Sequence, residues 1–190
     1  MSREFQNVDI SPEQFELQVR EWVRNAGDNL AGFSVTHLER LKGDSGEYEI
    51  DVVAEFSVFE QAIIKVLIEC KKYKNPVKRD VIMVLESKIR DSNAHKGMVF
   101  STSGFQSGAI EYASRRGIAT IGVQHGHTNY FTKSLGAAPA SPPPWVEMSD
   151  YIGWLIRQTE TGVRNFSLVE TGRNEPIREW LNEGALQALR

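Results

Sequence analysis

The sequence has little cysteine, no long apolar run and no excess of positive charge. Its single cysteine, Cys70 among 190 residues, cannot form an internal disulfide, so we expect a reducing, cytoplasmic compartment. No stretch approaches the roughly 18 apolar residues that a membrane span needs, and residues 1–10 carry Glu4 and Asp9, so we expect neither a membrane partner nor a signal peptide. The formal net charge of -3 argues against a generally basic nucleic-acid binder and leaves that role to a local patch.

Composition and periodicity indicate an α/β protein. Hydrophobic residues make up 41% of the chain and charged residues 25%, which is typical of a globular domain. Ser11 is the expected N-cap of the first helix, and Val84 and Leu85 are expected on the buried stripe of the second. Strands that alternate with helices imply right-handed crossovers onto a partly parallel sheet. The spacing predicts helices over Pro12–Asn25, Val77–Ser92 and Ser107–Arg116, and strands over Phe33–His37, Tyr48–Phe59, Ala62–Tyr73, Gly97–Ser101 and Ile118–Val123.

A stretch rich in proline and alanine divides the chain. Residues 136–144 are expected to form a stiff, extended linker. We therefore predict a core domain over residues 1–135 and a C-terminal helical extension over residues 145–190, which packs on the core or on another subunit. Within the extension, helices are predicted over Asp150–Arg157 and Ile177–Leu189, and a strand is predicted over Phe166–Glu170.

The most informative residues lie on the two strands of the predicted hairpin. Glu69 and Lys71 are two positions apart on one strand and so share a face, while Cys70 points the other way. Antiparallel pairing brings Asp51 of the preceding strand beside Glu69. Two adjacent carboxylates repel each other unless a divalent cation lies between them, and Lys71 is suited to orient or deprotonate a water. Carboxylates, Mg²⁺ and a lysine are what the hydrolysis of a phosphodiester needs.

These residues also carry a resemblance to a known family. Asp51 followed by Glu69-Cys70-Lys71 resembles the signature of the PD-(D/E)XK nucleases, and residues 12–124 are similar to the Mrr-type restriction endonucleases. The resemblance implies a restriction-endonuclease-like fold, with a mixed β-sheet core flanked by helices, here followed by a C-terminal extension. It also implies a metal-dependent endonuclease that cuts DNA, in restriction or defence against foreign DNA. Further matching positions are Phe15, Glu16, Ile50, Lys72, Tyr73, residues 101–105, Ala109, Ala113, Gly117 and Ile118.

The resemblance assigns a role to each residue of the motif. It implies that Asp51 and Glu69 ligate Mg²⁺, or alternatively Mn²⁺, with the backbone carbonyl of Cys70 as a third ligand. Lys71 matches the catalytic lysine. Glu16 matches a helix glutamate that completes the site by holding a water at the metal. The alternative for Asp51, Glu69 and Lys71 is an ion-pair network on the surface of a hairpin.

A basic run follows the motif. Residues 71–79 contain five basic residues and no acid. The run is suited to line the phosphate backbone, with Tyr73 stacking on a base or sugar, and a solubilising strand end is an equal alternative. Ser103 and Gln106 lie where members of the family approach the phosphate. The predicted nucleic-acid-binding residues are thus Lys72, Tyr73, Lys74, Lys78, Arg79, Ser103 and Gln106.

The sequence departs from the family in two ways that bear on partners. Residues 46–50 read Gly-Glu-Tyr-Glu-Ile, where the family often has a glycine-rich approach to the aspartate. We also expect no winged-helix recognition domain before residue 12. Specificity is therefore expected from a homo-oligomer (a dimer or higher), from a sensor or specificity partner, or from residues after 144. The alternatives are an effector that a partner or ligand activates, and a module that binds nucleic acid or a partner without cutting.

Overall fold

The computed structural model describes residues 8–58, 62–126 and 149–187, with side chains as far as residue 183. Its helices and strands follow the predicted order from the first helix to the fifth strand. None of the helices in these ranges is long and apolar enough to cross a membrane. The described helices are α1 (Pro12–Gly27), α2 (Arg79–Asp91), α3 (Ser107–Arg115) and α4 (Glu175–Gln187). The described strands are β1 (Ser34–Lys42), β2 (Glu47–Val58), β3 (Ala62–Lys71), β4 (Lys96–Ser101), β5 (Ala119–His125), β6 (Tyr151–Gln158) and β7 (Arg164–Val169).

The strands form one mixed sheet in the order β1-β2-β3-β4-β5-β6-β7. The β3–β4 and β4–β5 pairs are parallel, and the other four pairs are antiparallel. Helices α2 and α3 are the crossovers that connect the parallel strands. This arrangement confirms the predicted α/β class and the mixed sheet flanked by helices.

Two hydrophobic cores cover the two faces of the sheet. On one face, buried residues of α1 and α4, among them Trp22 and Leu181, pack against β2 to β7. On the other face, Ile82 and Leu85 of α2 and Ala109 of α3 pack against the central strands. The structure therefore has the three layers expected when a sheet is apolar on both sides.

Local chemistry explains where α1 begins and how it is fixed. The Ser11 side chain accepts a hydrogen bond from the Gln14 backbone, and the Gln14 side chain accepts one from the Ser11 backbone, which completes a capping box. The predicted N-cap is therefore confirmed. At the other end, the Arg178 guanidinium of α4 donates to the Ala26 carbonyl at 3.1 Å. Helix α1 is thus held at both ends, and α4 belongs to the same packed face.

The predicted helix over Asp150–Arg157 is wrong, because residues 151–158 form strand β6 between β5 and β7. All five residues from Ile152 to Ile156 are buried, whereas a surface helix buries one stripe. Gly153 lies so close to its neighbours that an added Cβ would come within 2.9 Å of Ile121. Residues 151–169 thus extend the sheet of the core. The linker at residues 136–144 lies outside the described residues, and the division into domains remains a prediction.

Three smaller predictions have different outcomes. Val84 is 56% exposed, so its place on the buried stripe of α2 is wrong. The helix faces the sheet through Ile82 and Leu85, and Val84 lies on the other side. The strand predicted over Phe166–Glu170 is observed as β7, and the last predicted helix is observed as α4 over the part that is described.

Candidate active site

The pairing of β2 with β3 brings the three residues of the motif together. Val52 pairs with Ile68, so Asp51 and Glu69 occupy the next positions along the two strands. Lys71 forms an ion pair with Glu69, and its Nζ lies 3.9 Å from Oδ2 of Asp51. The backbone N–H of Cys70 donates to the same Asp51 oxygen at 2.6 Å. The predicted juxtaposition is therefore observed, while the roles of the residues remain predictions.

Asp51 lies where the regular alternation of β2 breaks. Ile50 and Val53 belong to the same core, although residues three apart on a regular strand face opposite sides. Next to this position on β1, Leu38 has a φ of +54°, in the left-handed region that leucine rarely adopts. The ladder of β1 with β2 continues on both sides of Leu38. The irregularity is thus local and coincides with the aspartate of the motif.

Glu69 is almost fully buried, and a lysine contacts each of its two carboxylate oxygens. Its exposure is 5%, Lys71 contacts Oε2, and Lys88 of α2 contacts Oε1 at 2.6 Å. Sequence reasoning missed Lys88. The signal for it was the helical spacing, because Lys88 follows the buried Leu85 by three positions and so lies on the face of α2 that meets the sheet.

The pKa values of Asp51 and Lys71 are both raised, for different reasons. Burial raises the pKa of Asp51, the Cys70 N–H partly offsets the rise, and the nearby Glu69 carboxylate adds to it. Burial alone would lower the pKa of Lys71, but its attraction and hydrogen bond to Glu69, with a further attraction to Asp51, raise the pKa above its ordinary value. Lys71 is therefore an ammonium at neutral pH and acts as a donor.

Glu16 of α1 reaches the same region but has a partner that the sequence did not reveal. Its Oε2 lies 2.8 Å from Nε2 of His37 on β1, and both side chains are largely buried. The charge of Glu16 contributes to the raised pKa of Asp51, so the two carboxylates are electrostatically coupled. His37 could be found only from the tertiary structure, because strand β1 and helix α1 meet there.

The donor set can be compared with what a divalent cation requires. Within the described ranges, no three or more Asp, Glu, His or Cys side chains converge as a preformed metal site. Mg²⁺ in proteins usually keeps several waters and needs one or two carboxylates, which Asp51 and Glu69 supply. The thiol of Cys70 is not a candidate donor, because burial raises its pKa well above the ordinary value. The residues therefore fit a hydrated hard cation with oxygen ligands.

The basic loop, residues 72–78, is connected to the loop that precedes α3. The backbone N–H of Val77 donates to the Gly104 carbonyl, and the N–H of Gln106 donates to the Val77 carbonyl, each at 2.9 Å. The Ser103 hydroxyl donates to the Asn75 carbonyl at 2.7 Å. Ser103 and Gln106 thus lie beside the basic loop, and their approach to a phosphate stays a prediction. An open cleft at this loop is lined by Lys72, Tyr73, Lys74, Asn75, Pro76, Lys78, Asp80 and Val81.

The predicted nucleic-acid-binding residues differ in the contacts that their side chains make. Lys72, Lys74 and Lys78 are exposed, and Tyr73 is 44% exposed. Arg79 is exposed as well, and it lies over the ring of Tyr112 of α3, 4.5 Å from its centroid. Its guanidinium therefore packs α2 against α3 as well as adding positive charge.

Comparisons with known proteins identify the family of the chain. The Mrr catalytic-domain model, described as restriction endonuclease, matches residues 8–125, which is more than half of the chain and includes every predicted site residue. The crystal structure of a protein of unknown function, AF1548, is similar at 25% identity and a TM-score of 0.46, over 57% of this chain and 55% of that one. The match thus spans about half of that structure, and among curated proteins none matches. The chain belongs to the restriction endonuclease family, a family of nucleases.

Proposed function

We propose that the protein is a metal-dependent endonuclease that hydrolyses phosphodiester bonds of DNA, in restriction or defence against foreign DNA. The observation that carries the proposal is the convergence of Asp51, Glu69 and Lys71 at one end of the β2–β3 hairpin, in a chain of the restriction endonuclease family. Members of this family typically use divalent metals, and the two carboxylates are the donors that Mg²⁺ or Mn²⁺ prefers.

Asp51 and Glu69 are the residues that would hold the cation. When bound, the cation supplies a Lewis acid that offsets charge on a phosphodiester and lowers the pKa of a water. Lys71 is an ammonium 3.9 Å from Asp51, and it donates hydrogen bonds to the water or to the phosphate oxygen on which negative charge develops. The carboxylate of Glu16 is suited to orient a water, and His37 holds that carboxylate in place.

The basic loop supplies the contacts to the substrate. Three exposed lysines neutralise backbone phosphates, and Tyr73 is exposed enough to stack on a base or sugar. Ser103 and Gln106 are hydrogen-bonded to the same loop, at Asn75 and Val77. Since one site cuts one strand, a homodimer or higher oligomer is expected if both strands are cut, and a specificity partner is the alternative source of target recognition.

Plasmid cleavage tests the proposal. Supercoiled plasmid, prepared with and without base modification, is incubated with Mg²⁺, Mn²⁺ or EDTA and resolved as nicked and linear forms. We expect cutting with metal, none with EDTA and none by Lys71→Ala. The control is Lys42→Ala, which removes an exposed lysine at the end of β1 and should cut like the unaltered protein. Equal cutting by Lys71→Ala contradicts the assigned site, and no cutting of either plasmid by the unaltered protein favours a binding module or an activated effector.

A further inference from the structure

We propose that Lys88 is a positioning residue that fixes the orientation of the Glu69 carboxylate, so that one defined oxygen is presented to the cation. This inference rests on the proposed metal-dependent function. It adds a residue of α2 to a site that the motif builds only from the hairpin.

The two oxygens of Glu69 have different partners. Lys71, which contacts Oε2, is also the lysine that lies 3.9 Å from Asp51. Oε2 therefore belongs to the corner of the site that Asp51 and Lys71 share. Oε1 accepts from Lys88 at 2.6 Å. Lys88 thus engages Oε1 and leaves Oε2 as the oxygen on the side of Asp51 and Lys71.

Burial leaves the Glu69 carboxylate with few alternative partners. The Glu69 side chain is only 7% exposed, so water replaces a lost partner on Oε1 less readily than it does at the surface. A buried carboxylate with one unpaired oxygen is costly, and it rotates towards other partners to relieve that cost. Lys88 opposes this rotation by donating a charged hydrogen bond to that oxygen.

Lys88 is carried by a helix that is fixed against the sheet. Helix α2 is anchored by Ile82 and Leu85, which are completely or almost completely buried against the sheet. Lys71 is the last residue of β3 and is drawn to two carboxylates. Since partners of this kind orient metal ligands, and their removal typically lowers metal affinity about 10-fold to 100-fold, a comparable effect is expected here.

Direct binding of Mn²⁺ tests the inference without relying on cleavage. Mn²⁺ affinity is measured by calorimetry and by the loss of the free-ion paramagnetic resonance signal, for the unaltered protein and for Lys88→Met, Lys88→Gln and Lys88→Arg. We expect Lys88→Met to bind roughly 10-fold more weakly. Lys88→Arg keeps the charge and the donor and should restore most of the affinity. Arg90→Met removes the same charge from the same helix at an exposed position and should change little.

The outcomes separate the inference from the proposed function. If Lys88→Met binds Mn²⁺ as tightly as the unaltered protein, or more tightly, Lys88 is only a counter-charge and the inference is overturned. An equal loss in Arg90→Met overturns it as well, because the effect is then one of total charge. Lys88→Gln retains a neutral donor and gives the answer if Lys88→Met does not fold. Absence of Mn²⁺ binding to the unaltered protein is instead a failure of the proposed function, and the inference falls with it.

Discussion

Neutralising the two carboxylates of the site one at a time should change stability with opposite signs. Glu69→Gln removes a charge that Lys71 and Lys88 both contact, from a side chain that is 7% exposed. A charged hydrogen bond contributes about 1.5–3 kcal/mol, and breaking a buried ion pair costs about 3–5 kcal/mol. The two lysines are 20% and 21% exposed and Lys71 keeps Asp51 as a partner, so we expect a loss near the lower end, about 3 kcal/mol. For a chain of this size the melting temperature should fall by roughly 6–12 °C.

Asp51→Asn should have the opposite effect. Burial raises the pKa of Asp51 in the folded protein above its unfolded value, so the ionised carboxylate costs stability at neutral pH. That cost is absent below the unfolded pKa of about 3.9 and grows as the pH rises through the folded pKa. The asparagine retains an oxygen that accepts from the Cys70 N–H. Asp51→Asn is therefore expected to be more stable than the unaltered protein at pH 7, and the gain should shrink towards pH 4.

Thermal and urea unfolding followed by circular dichroism, in EDTA at pH 7 and near pH 4, measures both effects. Glu49→Gln is the matched control, because Glu49 is 57% exposed and pairs with Arg40 at the surface. Its stability should change by less than about 1 kcal/mol. The reasoning is refuted if Glu69→Gln behaves like this control, or if Asp51→Asn is less stable than the unaltered protein at pH 7.

Three further predictions concern basic residues outside the motif. Lys96 packs on the ring of Trp180, and burial lowers its pKa to about 7. The buried ammonium therefore lowers the free energy of unfolding at any pH below that value. This cost is relieved as the pH rises from the folded pKa towards the pKa of the unfolded chain. Denaturant unfolding between pH 6 and pH 9 should therefore show stability rising with pH, with a flatter profile for Lys96→Met; parallel profiles would contradict this. Lys74→Ala should reduce the dependence of DNA affinity on salt by about one unit of slope, measured by fluorescence anisotropy in EDTA. Arg79→Ala should mainly lower stability, because Arg79 stacks on Tyr112, and an unchanged slope for Lys74→Ala would remove that lysine from the interface.

The elements with strong local signals were predicted correctly. Ser11, Pro12 and the apolar spacing that follows define the start of α1 without reference to the rest of the chain. Asp51, Glu69 and Lys71 meet because two adjacent strands form a hairpin, which is also a local property. In contrast, the helix predicted over Asp150–Arg157 is wrong, because a short apolar run does not distinguish an inner strand from a buried helix until its neighbours are known.

The missed site residues depend on tertiary packing. Lys88 reaches Glu69 only because α2 lies across the sheet with Leu85 inward. His37 meets Glu16 only because α1 packs on β1 near the irregularity at Leu38. No local motif specifies either contact.

The position of β6 has a consequence for how the chain acquires its structure during synthesis. The strands that carry the candidate site, β2 and β3, leave the ribosome well before residues 151–169, which cover the edge of β5. Until β6 arrives, the nascent chain has an open β5 edge and an uncovered apolar surface around Trp22 and Ile121. Such a chain is prone to associate with other chains or to recruit chaperones. A fragment cut at residue 125, where the family match ends, would keep that open edge permanently.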